Sequence, residues 1–391
     1  MNGLKYLRIV TGMAFLLWSV CTCAEPVKKW RVIYVESGPY FEYQQTLHTT
    51  AQSLAQLGTI QNGDVPIPKK TEDTRPMWEW LCNHAGGEQL EFLKDGYYSG
   101  NWSEKQRAQN KAAILERIRT RKDVDMMLVF GTRVGLDMAT DEHQVPVMSV
   151  SVTDAVKAGI VSSIDDSGHD HVHALLDPGR YRRQIVIFHN VFHFKRLGVP
   201  YEDTTEGRAA CAIEEIEDTA RQLGVTIVPC TAQLDTPDKE VSFQNLKKCL
   251  EKLSTTSDAI YLPMVSAIQG DRMKELLEPL IEAGIPSFSQ RGPEDTQLGV
   301  LMSIAQSNFK AEGMANAQAI VKVMDGVKPR DISQIFTGPL GMAINLKMAM
   351  LIGWDPPLEV LVAVDQFYQE IFDAQNAEKS TPGTSKAVPE R

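Results

Sequence analysis

Hydroxyl, carboxylate and aromatic side chains stand directly after several segments that the sequence pattern predicts to be buried strands. In open parallel sheets, ligands bind beyond the carboxyl ends of the strands. These positions are therefore candidates for ligand contacts. The candidates are Ser37, Tyr40, Thr132, Thr153, Asp154, Tyr201, Glu202 and Ser266.

The chemistry of these candidates suits a zwitterionic amino acid, which needs donors for its carboxylate and an acceptor for its ammonium group. The hydroxyls and nearby backbone N–H groups can donate, and Glu202 or Asp203 can accept. The rings of Tyr40 and Tyr201 can stack on an aromatic side chain. Ser, Thr and Asp are also favoured in turns and helix caps, so ordinary structural roles stay open for each position.

Histidines at two places have spacings that metal sites use. His169, His171 and His173 alternate, and in a strand this spacing places three rings on one face, where zinc can bind. His189 and His193 are four residues apart. The polar stretch 162–168 before the first group favours a solvated loop instead. We therefore predict no metal site.

Enzyme motifs are missing from the chain. It contains no GxSxG, P-loop or HExxH motif, and no GxGxxG after a strand. The formal net charge is −10, which gives no general attraction for nucleic acid. We therefore predict no catalytic residue, no cofactor and no nucleic-acid partner.

The N-terminus has the three parts of a secretory signal peptide. Lys5 and Arg8 precede the apolar run Ile9–Val20, which is short for a membrane span. We predict cleavage after Ala24 and location in the periplasm or at the cell surface. The residues before Cys21 and Cys23 fit a lipoprotein signal poorly, so lipid anchoring is the less favoured alternative.

Four cysteines remain after the predicted cleavage: Cys82, Cys211, Cys230 and Cys249. An oxidising compartment permits disulfides. Cys230 ends a predicted strand, whereas Cys211 and Cys249 lie in helical patterns. A disulfide from Cys230 to one of these two helices and buried free thiols are both open interpretations.

Predicted strands and helices alternate along the chain, which indicates an α/β fold with parallel sheets. The alternation starts with the strand Trp30–Val35 and a helix over Tyr43–Leu57, and it restarts in the second half. Arg183–Phe188 is predicted as a strand there, and Glu206–Leu223 as one long helix. Two α/β halves follow. The tail 375–391 is rich in Ser, Thr, Pro and Lys, which predicts disorder.

Several segments, in order, resemble the substrate-binding family of ABC transporters that has the type I periplasmic binding fold. The first is Gly131-Thr132, then Val145-Pro146-Val147 and Thr153–Val161, and near the end comes Ala343–Ala349 followed by Ile352-Gly353. Some members of that family are linked to aromatic amino acid uptake. Ala155 stands where the family has Pro, and His171–Ala174 replaces its Asn-x-Thr-Gly. Residues 61–88, with Trp78 and Trp80, look like an insertion.

The resemblance implies two Rossmann-like lobes joined by a hinge that the chain crosses several times. The implied division is a signal peptide over 1–24, lobe I over 25–155 plus 306–328, lobe II over 156–305 plus 329–372, and a disordered tail over 373–391. Gln306, at the second crossing, would face the cleft and is a ninth candidate for ligand contact.

The resemblance also implies a function. The chain would be a monomeric binding protein outside the cytoplasm that closes around a small molecule and delivers it to an ABC permease. An amino acid, with an aromatic one as the candidate, is the expected ligand. A ligand-sensing module for a membrane receptor is the alternative.

Overall fold

The computed structural model describes residues 28–69, 71–306, 309–338 and 340–372, without the side chain of Gln306. The predicted signal peptide and the predicted tail lie outside this part. None of the helices within these ranges is long and apolar enough to cross a membrane.

The first half of the chain builds a five-stranded parallel sheet with the strand order β2-β1-β3-β4-β5. Buried apolar residues from both faces of this sheet form two cores. Its elements are β1 (Trp30–Glu36), α1 (Phe41–Gln56), α2 (Arg75–His84), β2 (Leu90–Ser99), α3 (Glu104–Thr120), β3 (Met126–Phe130), α4 (Thr132–Met138), β4 (Val147–Val150) and β5 (Val172–Ala174).

Most of the rest of the chain builds a seven-stranded sheet with the order β12-β11-β10-β9-β8-β6-β7 around a third core. All its strand pairs are parallel except β10 with β11. The elements are α5 (Arg180–Phe192), β6 (Arg196–Tyr201), α6 (Thr205–Ala210), α7 (Ile213–Leu223), β7 (Thr226–Thr231), α8 (Lys239–Thr256), β8 (Ala259–Leu262), α9 (Met273–Ala283), β9 (Ser287–Ser289), α10 (Pro293–Gln297), β10 (Met302–Gln306), α11 (Phe309–Met324), β11 (Leu340–Asn345), α12 (Leu346–Leu351), α13 (Leu358–Ala363) and β12 (Gln366–Tyr368).

The two parallel-sheet lobes confirm the predicted α/β class. The late helix α11 returns to the first lobe and packs on α1. Gly313 permits this contact, because a Cβ there would lie 2.5 Å from the backbone carbon of Thr49. Two segments that link the lobes lie side by side, since the Leu176 N–H donates to Gln334 and the Phe336 N–H donates to Leu176.

The strand β5 affects the proposed lobe boundary. It pairs with β4 in the first sheet, although it follows the predicted boundary after residue 155. The buried residues Ala155, Ile160 and Val172 also belong to a core of the first lobe. We therefore propose that the first lobe extends to Ala174.

Two element predictions are wrong. Residues 183–188 lie in helix α5, where Tyr181, Gln184, Ile185 and Phe188 are buried at helical spacing; a short apolar run does not distinguish helix from strand. The predicted single helix over 206–223 is broken between α6 and α7. Ala212 has a left-handed backbone with φ of 53°, and the Cys211 carbonyl accepts a hydrogen bond from the Gln290 side chain.

A disulfide joins Cys230 of β7 to Cys249 of α8. This is one of the two pairings that the sequence left open for Cys230. Cys82 and Cys211 are free thiols, and burial raises the pKa of the Cys82 thiol to about 11.

Candidate ligand-binding cleft

A cavity lies between the two lobes, at the carboxyl ends of strands from both sheets. The first lobe contributes the segments after β1, β3 and β4, and the second lobe contributes the segment after β8. The linking segment at Leu175, Leu176 and Asp177 closes one side of the cavity. The cavity therefore lies where the topology of parallel sheets brings loop residues together.

Five of the nine predicted site residues line this cavity. They are Ser37, Tyr40, Thr132, Thr153 and Ser266. The Thr132 hydroxyl accepts a hydrogen bond of 3.3 Å from the Thr153 backbone N–H, which joins the segments after β3 and β4.

The preceding residue, Gly131, allows the polypeptide to pass close to Tyr43. Its φ is 100°, and a Cβ there would lie 1.9 Å from the Tyr43 hydroxyl. Glycine at position 131 is thus required by the packing of the cleft.

Three predicted site residues lie elsewhere. Asp154 lines a separate surface groove, with its side chain accepting from the Lys157 N–H. Tyr201 is buried in the core of the second lobe with its hydroxyl against Arg208. Glu202 accepts from the N–H groups of Leu234 and Asp235 at the rim of the cleft. Gln306 ends β10, and its side chain lies outside the described residues.

Glu202 takes part in an ion-pair network between the lobes. The Arg133 guanidinium, from the first lobe, lies 2.7 Å from a Glu202 oxygen and 3.1 Å from an Asp235 oxygen of the second lobe. Arg107 similarly pairs with Glu206 at 2.9 Å. These contacts hold the two lobes together across the cleft.

Six charged residues that the sequence analysis did not predict line the cavity. Arg133 and Asp235 pair with each other and Asp177 pairs with Arg183, and the remaining three are Glu42, Arg180 and Glu312. They lie in the first turns of α1, α5 and α11, rather than directly after strands. The Arg180 Nε is fully buried and has no hydrogen-bond partner among the residues that the structure describes. Within the described residues, neither the Arg180 guanidinium nor the two carboxylates makes an ion pair within 4.0 Å.

Burial disfavours the ionised form of both carboxylates. It raises the pKa of Glu42, although Arg180 opposes this change. It raises the pKa of Glu312 to about 7, with repulsion from Glu42 as a further cause. The site therefore contains one guanidinium and two carboxyl groups that lack direct partners of their own.

Aromatic rings form much of the remaining wall. Tyr40 packs edge-on against Tyr43 at 5.3 Å and against Trp102 at 6.1 Å between ring centroids. Tyr181 and Phe336 add two rings from the other side. Such a wall can pack on an aromatic side chain or attract a cation to the faces of its rings.

The alternating histidines have structural hydrogen-bonding roles. His171 lies 3.0 Å from the Thr140 carbonyl oxygen, and His173 lies 3.2 Å from the Ser333 carbonyl oxygen. Both rings are buried, so the predicted solvated loop is wrong for them, and burial lowers the pKa of each. His169 pairs with Asp141. Among the described residues, no group of three or more His, Cys, Asp or Glu could hold a metal ion.

Comparison with known proteins gives a family match over most of the chain. A family model described as ABC transporter substrate binding protein matches residues 88–367. No curated protein sequence matches.

Solved structures with low sequence identity share the fold. An ABC domain in complex with L-Trp from Streptococcus pneumonia has a TM-score of 0.65 at 16% identity, over 87% of this chain and 100% of its own. A conserved domain protein from Vibrio cholerae has a TM-score of 0.65 at 17% identity, with the same coverages. A 5-methylthioribose transporter solute binding protein from Thermotoga lettingae has a TM-score of 0.51 at 11% identity, over 91% of this chain and 99% of its own.

Proposed function

The chain belongs to the ABC transporter substrate-binding protein family, and we propose that it captures an amino acid in the cleft between its lobes. Members of this family work outside the cytoplasm and deliver a small molecule to a membrane permease. The predicted signal peptide would export this chain to that location. The proposal needs capture and release only, with no chemical change to the ligand.

The single observation that carries the proposal is the charge arrangement around Arg180. A buried Nε without a partner lines the same cavity as the carboxyl groups of Glu42 and Glu312. A guanidinium is the preferred partner of a carboxylate, and buried carboxylates are stabilised by a cation. An amino acid brings both complementary groups on one carbon atom.

The rings of the cavity support an amino acid with a large side chain. An aromatic side chain is the candidate that the sequence suggested, and the five rings around the cavity would pack on it. The Streptococcus pneumonia structure, which shares the fold, is a complex with L-Trp and is consistent with an aromatic ligand.

We propose hinge closure as the mechanism of capture. Arg180 and Ser266 would contact the ligand from the second lobe, while Ser37 and Thr132 would contact it from the first. A ligand that touches both lobes favours the state in which they are together, so binding shifts the open–closed equilibrium. The ion pairs of Arg133 would add to the stability of the closed state.

Titration calorimetry with the twenty L-amino acids, followed by a sugar and a nucleoside panel, tests the proposal. We expect saturable binding of at least one amino acid with one site per chain. Recovery of the ligand with unchanged mass would support capture without turnover. Binding of a sugar or nucleoside with no response to any amino acid would refute the proposed ligand class.

A further inference from the structure

A second, smaller cavity lies behind the wall of the cleft. Glu42, Arg180 and Glu312 line both cavities. The second cavity is completed by residues that the cleft does not touch, among them Arg291, Glu294 and Phe309. Because the two cavities share this wall, we call the second one the extension of the cleft.

Carboxyl groups outnumber unpaired cations in this extension. Glu42, Glu294 and Glu312 contribute three carboxyl groups. Arg291 is paired with Asp295 by a direct hydrogen bond, so most of its charge is already balanced. The three acids are thus faced by Arg180, which acts on Glu42 and Glu312, and by the partly balanced charge of Arg291, which acts on Glu42 and Glu294.

Two buried side chains in this extension lack complete partners. Glu42 is 7% exposed, and within the described residues its carboxylate accepts no hydrogen bond and forms no ion pair. Arg291 is 8% exposed, and its buried Nε has no hydrogen-bond partner in the described part of the chain. Buried polar groups are normally hydrogen-bonded, so this pattern indicates a site built for a polar ligand group.

We propose that this extension binds a positively charged side chain, so that the ligand is a cationic amino acid. The inference rests on the proposed amino acid function and specifies which class of amino acid binds. The α-carboxylate of the ligand binds the Arg180 guanidinium. The α-ammonium group and the side-chain cation of the ligand bind the carboxyl groups of Glu42, Glu294 and Glu312.

A neutral aromatic amino acid would fit this charge distribution less well. Its ammonium can partner one or two carboxyl groups, and at least one acid would stay buried without a cation. That acid would have to take up a proton or lose its hydration without compensation, and both weaken binding. A second positive charge on the ligand removes this cost.

Calorimetry with matched ligands at pH 8 tests the inference. L-arginine and L-citrulline have the same length and hydrogen-bonding shape, but only L-arginine carries a side-chain charge. We expect L-arginine to bind at least about 30-fold more tightly than L-citrulline, L-tryptophan or L-phenylalanine, an effect of the size that removal of one charge-assisted contact has. L-lysine should retain much of the preference.

The variant Glu294→Gln should reduce the preference for L-arginine over L-citrulline at least about fivefold, whereas the exposed Glu278→Gln in α9 should leave it unchanged. The comparison of ligands in the wild-type protein does not depend on how well either variant folds. Equal or tighter binding of L-citrulline or L-tryptophan would overturn the inference and leave the amino acid function standing. Absence of binding by every amino acid would overturn both.

Discussion

Replacement of Arg180 by glutamine should selectively remove the recognition of the ligand's carboxylate. The side chain is half-buried, with its Nε fully buried and unpartnered. Glutamine keeps a polar side chain of similar reach but has no charge. We therefore expect Arg180→Gln to weaken ligand binding without the loss of packing that a truncation to alanine would cause.

The size of the effect follows from the burial of the guanidinium. A net hydrogen bond to a charged group contributes about 1.5–3 kcal/mol, and the loss of one partner of a desolvated pair costs about 2–5 kcal/mol. For a half-buried side chain we take about 3 kcal/mol, which corresponds to a Kd raised about 150-fold. Thermal unfolding should change by less than about 3 °C, because the relief of desolvation offsets the lost attraction to Glu42 and Glu312.

The assay is titration calorimetry with two pairs of ligands that differ only in the carboxylate. L-arginine is compared with agmatine, and L-tryptophan with tryptamine. If Arg180 binds the carboxylate, the variant weakens the amino acids but has little further effect on the amines, because the group it recognises is already missing. Arg182→Gln, at an exposed position of the same helix, is the matched control and should bind like the wild type.

Equal weakening of the amino acid and its amine by Arg180→Gln would refute the reasoning. That result would mean that Arg180 acts through the structure of the cleft. A fall of the unfolding midpoint of Arg180→Gln by about 10 °C or more would give the same conclusion. The difference in Kd between each amino acid and its amine in the wild-type protein would then show independently whether the carboxylate contributes to binding.

Three further predictions concern pH, closure and the disulfide. Because burial raises the pKa of Glu312 from 4.5 to about 7, the affinity for L-arginine should rise between pH 6 and pH 8, and Glu312→Gln should flatten this dependence. The same raised pKa means that the protonated acid favours the fold, so the free energy of unfolding should decline by roughly 3 kcal/mol as the pH rises from about 4.5 to above 7, and Glu312→Gln should remove that decline in denaturant titrations. Arg133→Gln should weaken ligand binding by about 2 kcal/mol, roughly 30-fold, and enlarge the ligand-free protein in small-angle scattering, because it breaks contacts with Glu202 and Asp235. Cys249→Ser should lower the free energy of unfolding by about 3 kcal/mol, since the disulfide closes a loop of 19 residues.

Each of these predictions has a control and a contradicting result. Glu278→Gln serves for Glu312, and an unchanged pH profile in Glu312→Gln would exclude Glu312 as the titrating group. Arg196→Gln, which breaks an exposed ion pair within one lobe, serves for Arg133; equal scattering curves for all three proteins would contradict the closure role. Cys211→Ala, which retains the disulfide, is the control for Cys249→Ser. If Cys249→Ser were as much less stable than reduced wild-type protein as it is than oxidised wild-type protein, the role of the Cys230–Cys249 bond would be contradicted.

The sequence predicted the cleft residues that follow from the topology of parallel sheets. Ser37, Thr132 and Thr153 stand directly after β1, β3 and β4, and the carboxyl ends of neighbouring parallel strands meet at one edge. The same rule misplaced Tyr201 and Glu202. Tyr201 is the last residue of β6 and points into the core of the second lobe. Glu202 follows β6, which lies next to the edge strand β7, and therefore reaches the rim of the cleft rather than its centre.

The charged residues at the centre of the site could not be located by that rule. Glu42, Arg180 and Glu312 belong to the first turns of three helices that converge only in the folded chain. Arg180 was further obscured because the apolar run that follows it was interpreted as a strand. The course of the linking segments, which brings α5 and α11 to the cavity, depends on contacts between residues about 160 positions apart, such as Leu176 with Gln334.

A crystal structure of the complex with the most tightly binding amino acid tests the central claim most directly. The account predicts that the ligand lies between the two lobes, with its carboxylate within hydrogen-bonding distance of Arg180 and its ammonium within that distance of Glu42 or Glu312. A ligand bound outside the cleft, or one bound between the lobes with its carboxylate away from Arg180, would contradict the account.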